Sequence, residues 1–194
     1  SLNAVVKNNW IYNNKTNSDP LTSGSGININ GSPLNTPVIT GNRINSNWWG
    51  ITIQNGTSVQ AGPNPNLGNI DNSDPNDEGL NIIYENVQGA NVYDLYNNCT
   101  NDIYAQNNDW GVYDSVSIEN HIYHKVDNSI HGLVIFTPFS LEIPVELTLF
   151  NSFVNGTNVV LNWITASEKN NAGFEVERAS FTMPVQGAWN EWEV

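Results

Sequence analysis

The sequence predicts an all-β chain: a right-handed parallel β-helix (a solenoid) with one C-terminal capping helix, followed by a partial β-sandwich. Three observations support this fold class. Asparagine supplies 35 of the 194 residues, and it favours turns because it tolerates left-handed backbone. A short phrase, apolar then polar then asparagine, recurs along the chain. Two Ile-x-Ile segments, at 27–29 and 51–53, place both aliphatic side chains on one face of a strand.

The recurring phrase indicates short strands that end in asparagine turns. Its copies lie at 6–9, 39–42, 83–86, 95–98 and 105–108. A spacing of roughly 10 to 33 residues is typical of a solenoid. We expect strands at 4–6, 27–29, 38–40, 51–54, 81–84, 91–95 and 103–106. Equivalent asparagines in successive turns are expected to form hydrogen bonds with one another through their side-chain amides. Two longer excursions, 13–24 and 56–78, interrupt the pattern.

The period changes after residue 113. Ile118, Ile122 and Val126 recur every four residues, and Asp114 or Ser115 is suited to N-cap the segment. The sequence therefore predicts an amphipathic helix near 114–127 that covers the last coil, followed by a final strand at 132–136. The β-helix is expected to span 1–139, with a linker at 140–144.

Residues 145–194 have a different pattern. An alternating segment at 145–154 is followed by Asn155-Gly156, a hairpin turn signal, and by a second strand at 158–163. These segments predict the first strands of a β-sandwich. About 50 residues are too few to complete such a domain, which needs roughly 100.

Composition excludes some classes of partner. The chain has six Lys and Arg against 19 Asp and Glu, for a net charge of −13. Nucleic-acid binding needs basic clusters, so no nucleic-acid partner is expected. No apolar run is long enough to span a bilayer, so no membrane insertion is expected. Cys99 is the single cysteine and cannot form an internal disulfide.

Two segments resemble known families. Residues 102–111 (Asp-Ile-Tyr-Ala-Gln-Asn-Asn-Asp-Trp-Gly), with 118–127 and 132–138, resemble the closing coil and capping helix of β-helix repeat proteins exported by Bacteroidetes and Ignavibacteria-type bacteria. Residues 144–150, 158–163 and 166–178 are similar to a fibronectin-III-like module that often precedes the sorting domain of type IX secretion cargo. The resemblances imply an extracellular or cell-surface location in a Gram-negative-type bacterium. They assign no reaction.

The densest acidic segment is a candidate calcium loop. From Asp74 it contains Asp74, Asn76 and Glu78, with Glu85 at the twelfth position. Oxygen donors at this spacing are typical of calcium loops. The segment after Gly79 has a strand pattern, so EF-hand helices are not expected. A solvated acidic turn is the alternative interpretation.

Other candidate residues have structural interpretations beside functional ones. His121, His124 and His131 lack an evident further zinc ligand, so packing roles are favoured over a metal site. Trp48, Trp49 and Trp110 could stack on sugar rings if exposed, or pack at corners between coils. Carboxylates for glycoside hydrolysis are sparse outside 71–78, because Asp94, Asp102 and Asp109 are scattered among turns.

We therefore expect a non-catalytic scaffold, secreted or at the cell surface, for adhesion or extracellular assembly, with a polysaccharide or surface ligand as candidate partner. The alternative is a fragment of a carbohydrate-active, polysaccharide-degrading β-helix enzyme. Residues 4–6 belong to a repeat, and an open coil would expose unpaired backbone groups. We expect upstream coils or a head-to-tail neighbouring subunit to cover them.

Overall fold

The computed structural model describes residues 3–16, 23–140, 147–165, 174, 176, 178–179 and 192–193. The chain divides into two compact units, Ser1–Leu141 and Glu142–Val194. Residues 141–144 of the predicted linker, and much of the predicted sandwich, lie outside the described residues.

The described part of the first unit contains thirteen short strands and one helix. They are β1 (Val5–Lys7), β2 (Trp10–Tyr12), β3 (Ser25–Asn30), β4 (Val38–Thr40), β5 (Arg43–Asn45), β6 (Trp49–Gln54), β7 (Ile82–Tyr84), β8 (Val87–Gln88), β9 (Asn91–Val92), β10 (Leu95–Asn98), β11 (Ile103–Tyr104), α1 (Ser115–Glu119), β12 (Ile122–Tyr123) and β13 (Val134–Ile135). The second unit contains β14 (Leu147–Asn155), β15 (Asn158–Thr165), β16 (Arg178–Ala179) and β17 (Trp192–Glu193).

The β-helix prediction is wrong, because the strands do not form one solenoid. Across the described residues they form seven small sheets of two to four strands. The largest is parallel, in the order β12–β10–β6–β3, and a second parallel sheet contains β2, β5 and β7. β1 pairs with β4, and β11 pairs with β13, also in parallel. Single-residue bridges through Asn66 connect these two pairs.

An antiparallel hairpin interrupts the parallel order in the segment predicted as one strand at 91–95. β8 and β9 pair in antiparallel around Gly89, whose φ is +65°. Glycine adopts this left-handed backbone at little cost, which permits the tight turn. β10 then begins at Leu95 as a separate strand. Short alternating segments thus predict strands, but they do not determine that all the strands join into one stack.

The predicted capping helix at 114–127 is also much shorter than expected. α1 contains five residues, and Asp114 caps it by accepting from the backbone N–H groups of Val116 and Ser117. Ile122 pairs with Leu95 in a parallel sheet instead of continuing the helix. Val126, the third member of the period, is exposed. Strand pairing therefore overrides the four-residue period after Asn120.

The second unit contains the predicted hairpin but no sandwich in its described part. β14 pairs in antiparallel with β15 around Gly156, whose φ is +64°. The other described pair, β16 with β17, is only two residues long. Several large apolar side chains of the hairpin remain exposed, so the described residues do not form a second packed layer: Phe150, Phe153, Val154, Val159 and Ile164.

The core of the first unit is built from aliphatic residues in register. Ile27, Ile51, Leu95 and Ile122 lie at equivalent positions of the four-stranded sheet. Ile11, Ile44 and Ile83 do the same in the three-stranded sheet. Because side chains alternate across a strand, the residues flanking these aliphatics point to the opposite face. That outward face carries the aromatic residues described below.

The expected hydrogen bonds between asparagine side chains are present. They form two continuous series, which we call ladders. The first, the Asn108 ladder, contains Asn9, Asn42, Asn81 and Asn108. In each step the Oδ1 of the later residue accepts from both the backbone N–H and the Nδ2 of the earlier one. For Asn81 and Asn108 these distances are 2.9 and 2.8 Å. The steps cover 33, 39 and 27 residues of sequence.

The second ladder, the Asp94 ladder, contains Asn14, Asn47, Asn86 and Asp94. Its first two steps repeat the same geometry over 33 and 39 residues. In the last step Asp94 Oδ1 accepts from the backbone N–H and Nδ2 of Asn86, at 3.2 and 2.7 Å. The other oxygen, Oδ2, lies 3.0 Å from His121 Nδ1.

Every asparagine of both ladders follows a residue with left-handed backbone. These preceding residues are Asn8, Gly41, Leu80 and Asn107 in the Asn108 ladder, and Asn13, Ser46 and Glu85 in the Asp94 ladder, with φ between 54° and 64°. The left-handed residue turns the chain so that the next amide can enter the ladder. At Gly41 a Cβ would lie 2.5 Å from Asn8 Oδ1, so a larger residue there would displace the Asn8 side chain.

Candidate binding surface

The outward face of the β2–β5–β7 sheet carries exposed aromatic residues around one arginine. Ile11, Ile44 and Ile83 point into the core, and their neighbours point outward in register: Trp10 with Arg43, and Tyr12 with Asn45 and Tyr84. Trp10 is 63% and Tyr12 50% exposed. We call Trp10, Tyr12, Arg43, Asn45 and Tyr84 the aromatic–arginine face.

Arg43 holds this face together. Its guanidinium carbon lies 5.8 Å from the ring centroid of Trp10 and 5.3 Å from that of Tyr84, within cation–π range. Its Nη2 and Nε donate to the hydroxyl oxygen of Tyr84 at 2.6 and 3.2 Å. The side chain is thereby oriented while remaining exposed to solvent.

The two exposed rings are also fixed in position. Trp10 Nε1 donates to Asn45 Oδ1 at 2.8 Å. The centroids of Trp10 and Tyr12 are 4.8 Å apart, and their planes are tilted by 36°. Large aromatic side chains held in one orientation provide contact area at a small cost in side-chain entropy. Together with the donors of Arg43, they can bind a ligand that has apolar faces and polar edges.

A second aromatic cluster lies on the outward face of the four-stranded sheet, but its rings mainly contact one another. Trp49 stacks on Tyr93 with centroids 4.5 Å apart, and Tyr96 stacks on Tyr123 at 4.6 Å. Burial raises the pKa of Tyr93, with a smaller contribution from the charges of Tyr123 and Asp127. Because these ring faces are already occupied, the cluster serves packing better than ligand binding.

The three tryptophans for which the sequence left sugar stacking or packing open are not the exposed ones. Trp49 and Trp110 are buried, and Trp48 is half-buried. Trp110 Nε1 is buried without a hydrogen-bond partner. The sequence reasoning missed Trp10 because its partners Arg43 and Tyr84 lie far along the chain. The signal was available in the spacing of Asn9 and Asn42, which places Trp10 beside Arg43.

The predicted calcium ligands are partly engaged in loop turns. Asp74, Asn76, Glu78 and Glu85 are all exposed. Asp74 Oδ1 accepts from the backbone N–H and the Nδ2 of Asn76 at 3.0 and 2.8 Å, and these bonds lower the pKa of Asp74. Glu85 supplies one of the left-handed turns before a ladder, with φ of +54°. Within the described residues, no group of three or more His, Cys, Asp or Glu is placed to hold a metal ion.

The three histidines have structural partners. His124 is buried, its Nδ1 accepts from the backbone N–H of Val134 at 2.8 Å, and its Nε2 therefore carries the proton that Glu119 Oε1 accepts at 2.6 Å. His131 Nδ1 lies 2.7 Å from the carbonyl oxygen of Asn97, and its ring packs edge-on against Tyr123. His121 bonds to Asp94 at the end of the ladder.

Two buried groups have shifted acidities without forming a reactive centre. Burial raises the pKa of the fully buried Asp94, and the hydrogen bonds from His121 and Asn86 oppose the shift. Burial also raises the pKa of the Cys99 thiol to about 11. A thiol of that pKa is a poor nucleophile at neutral pH, because the thiolate is the reactive form.

Comparisons with protein-family models, with curated proteins and with solved structures yield no match. The two family resemblances therefore remain predictions. A search of the described helices finds none that is both long and apolar enough to cross a bilayer.

Proposed function

We propose that this chain is a non-catalytic extracellular scaffold that binds a neutral polysaccharide through the aromatic–arginine face. The observation that carries the proposal is the pair of exposed, oriented rings of Trp10 and Tyr12 beside Arg43. The apolar face of a sugar ring packs on an aromatic ring, and its hydroxyl groups accept or donate hydrogen bonds at the edges. The extracellular location rests on the sequence resemblance alone.

Charge favours a neutral ligand over an acidic one. The chain has a net charge of −13, which repels polyanions. Arg43 is engaged with two rings and one phenol oxygen, so it is a poorer partner for a uronate than a free cation would be. The face is therefore better suited to neutral hexose or pentose polymers.

Binding to soluble neutral polysaccharides, measured by affinity electrophoresis or calorimetry, tests this function. Trp10→Ala is expected to weaken binding at least tenfold, which corresponds to about 1.4 kcal/mol. Phe150→Ala is the matched control, since Phe150 is 62% exposed but lies in the other unit. Equal losses in both variants, or no binding by the unmodified chain, would contradict the proposal. Turnover of the polysaccharide would instead support the degrading-enzyme alternative.

A role in assembly is supported by the strands nearest the start of the described chain. Each of β1, β2 and β3 pairs with a strand on one side only within the described residues. Unpaired strand edges can add a strand from another chain. We propose head-to-tail self-association through the edges of these three strands, and sedimentation velocity over a range of concentrations tests it. A monomer at every concentration would contradict it.

A further inference from the structure

The segment 66–79 contains a buried carboxylate with one unsatisfied oxygen. Asp77 is only 6% exposed. Its Oδ2 accepts from Asn66 Nδ2 at 2.5 Å and from Asn72 Nδ2 at 2.9 Å, while its Oδ1 is buried without a hydrogen-bond partner. A buried, unpaired carboxylate oxygen is costly, so such an atom indicates an ion or water that completes its shell.

Among the described residues, no positively charged side chain forms an ion pair with this segment. Asp71, Asp74, Asp77 and Glu78 lie within eight residues, and the sequence contains no Lys or Arg between Arg43 and Lys125. The two ion pairs among the described residues join His121 to Asp94 and His124 to Glu119, and neither involves the loop. The carboxylates of the loop therefore have no ion-pair partner within the part of the chain that the structure describes.

The loop is also held in a fixed conformation. The backbone N–H of Asn69 donates to the carbonyl of Asp77 at 2.9 Å, which closes the loop on itself. Gln106 ties the loop to the body of the unit: its Oε1 accepts from the backbone N–H of Ile70, and its Nε2 donates to Asp71 Oδ2. These bonds hold the loop around Asp77 in one conformation.

We propose that Asp77 Oδ1 anchors a calcium ion, with further oxygens from the 66–79 loop and water completing the coordination shell. The site differs from the one predicted by sequence spacing, because Asp74 Oδ1 is already engaged by Asn76 whereas Asp77 Oδ1 is buried and has no hydrogen-bond partner. Calcium accepts six to eight carboxylate, carbonyl and water oxygens in irregular geometry, whereas magnesium demands a near-octahedral arrangement. Calcium therefore suits a loop with a single buried carboxylate.

Cation-dependent thermal unfolding of the full chain tests the site. Calcium at about 10 mM should raise the melting temperature, because a single-carboxylate site is expected in the range of about 10⁻⁴ to 10⁻³ M typical of extracellular modules. Magnesium, or sodium at equal ionic strength, should give a smaller rise. No difference between calcium and sodium would overturn the proposal and leave Oδ1 to a water molecule.

Two substitutions of equal charge in the same loop localise the ion. Asp77→Asn is expected to weaken calcium binding at least tenfold, whereas Asp74→Asn should leave it within a factor of two or so. Equal weakening of calcium binding in both variants would mean diffuse attraction by the acidic loop and would overturn the site.

If Asp77→Asn fails to fold, a measurement on the unmodified chain still tests the site. In a calcium titration followed by NMR, the side-chain amide resonances of Asn66 and Asn72 should move and that of Asn9 should not. The reverse pattern would overturn the proposal.

Discussion

The two ladders start alike and end differently. Both have steps of 33 and 39 residues in which each amide donates forward to the next residue. The Asn108 ladder ends in an amide whose Nδ2 donates to the carbonyls of Leu67, Ala105 and Gln106. The Asp94 ladder ends in a carboxylate whose second oxygen meets His121. The same series of donors is therefore completed either by an amide or by an acid.

The surroundings of the final residue decide which group is required. Where backbone carbonyls surround the end, the last residue must still donate, and asparagine has the two N–H groups to do so. Where His121 Nδ1 lies beside the end, a carboxylate can accept at both oxygens, one from Asn86 and one from a protonated His121 Nδ1. The difference between the ladders can be tested by exchanging their final residues.

Asn108→Asp should have the largest effect on the free energy of unfolding. The substitution places a carboxylate oxygen against three carbonyl oxygens in a fully buried position. A buried charge that has no opposite charge nearby, and no donor for its second oxygen, is expected to cost about 3 to 5 kcal/mol in the free energy of unfolding. Urea denaturation of the full chain measures it, and Asn3→Asp is the control, because Asn3 is exposed and already acts as an acceptor. Equal midpoints for the two variants would contradict this account of the ladder end.

Asp94→Asn should lower the free energy of unfolding by less, about 1 kcal/mol. The Oδ1 can still accept both bonds from Asn86. The new Nδ2 would face His121 Nδ1, which can accept if the ring carries its proton on Nε2. The loss is then the difference between a charge-assisted bond and a neutral one. A loss as large as that of Asn108→Asp would show that the two ends are not distinguished in the proposed way.

The smallest effect is a pH dependence confined to the Asp94 ladder. Burial raises the pKa of Asp94 above 3.8 in the folded state. Between the unfolded and folded pKa values the folded chain binds the proton more readily, so Asp94's contribution to the free energy of unfolding falls as pH rises through this window. An NMR titration should give a carboxyl midpoint above 3.8, with the Asn86 side-chain amide moving and that of Asn81 remaining unchanged. A midpoint below 3.8 would reverse the sign of this dependence.

Sequence reasoning located the asparagine turns better than it identified their partners. Asn9, Asn42 and Asn108 belong to one ladder, as the repeated phrase indicated, but Asn86 belongs to the other. Asn97 belongs to neither, because its side chain bonds to the backbone of Cys99, Asn101 and Gly132. A local phrase identifies a turn, whereas membership of a ladder depends on contacts 8 to 39 residues away.

The candidate site shows the same limit. Asp94 was interpreted from the sequence as one of several scattered turn carboxylates, although it is the fully buried end of a ladder. The calcium spacing selected Asp74, whereas the buried oxygen belongs to Asp77. Spacing along the chain identifies which residues are chemically suitable. Burial and hydrogen-bond satisfaction, which decide among them, arise only when distant segments pack together.

The spacing between the ladders has a consequence for protein engineering. Asn9 and Asn14, Asn42 and Asn47, and Asn81 and Asn86 are each five positions apart, and each five-residue frame contains one three-residue strand and one left-handed turn. The frames fix the architecture, while the segments between them act as spacers of adjustable length. At Gly56, where an added Cβ would meet no atom within 4 Å, a foreign peptide could be inserted and displayed. Removing one residue within a frame would instead put both ladders out of alignment at once.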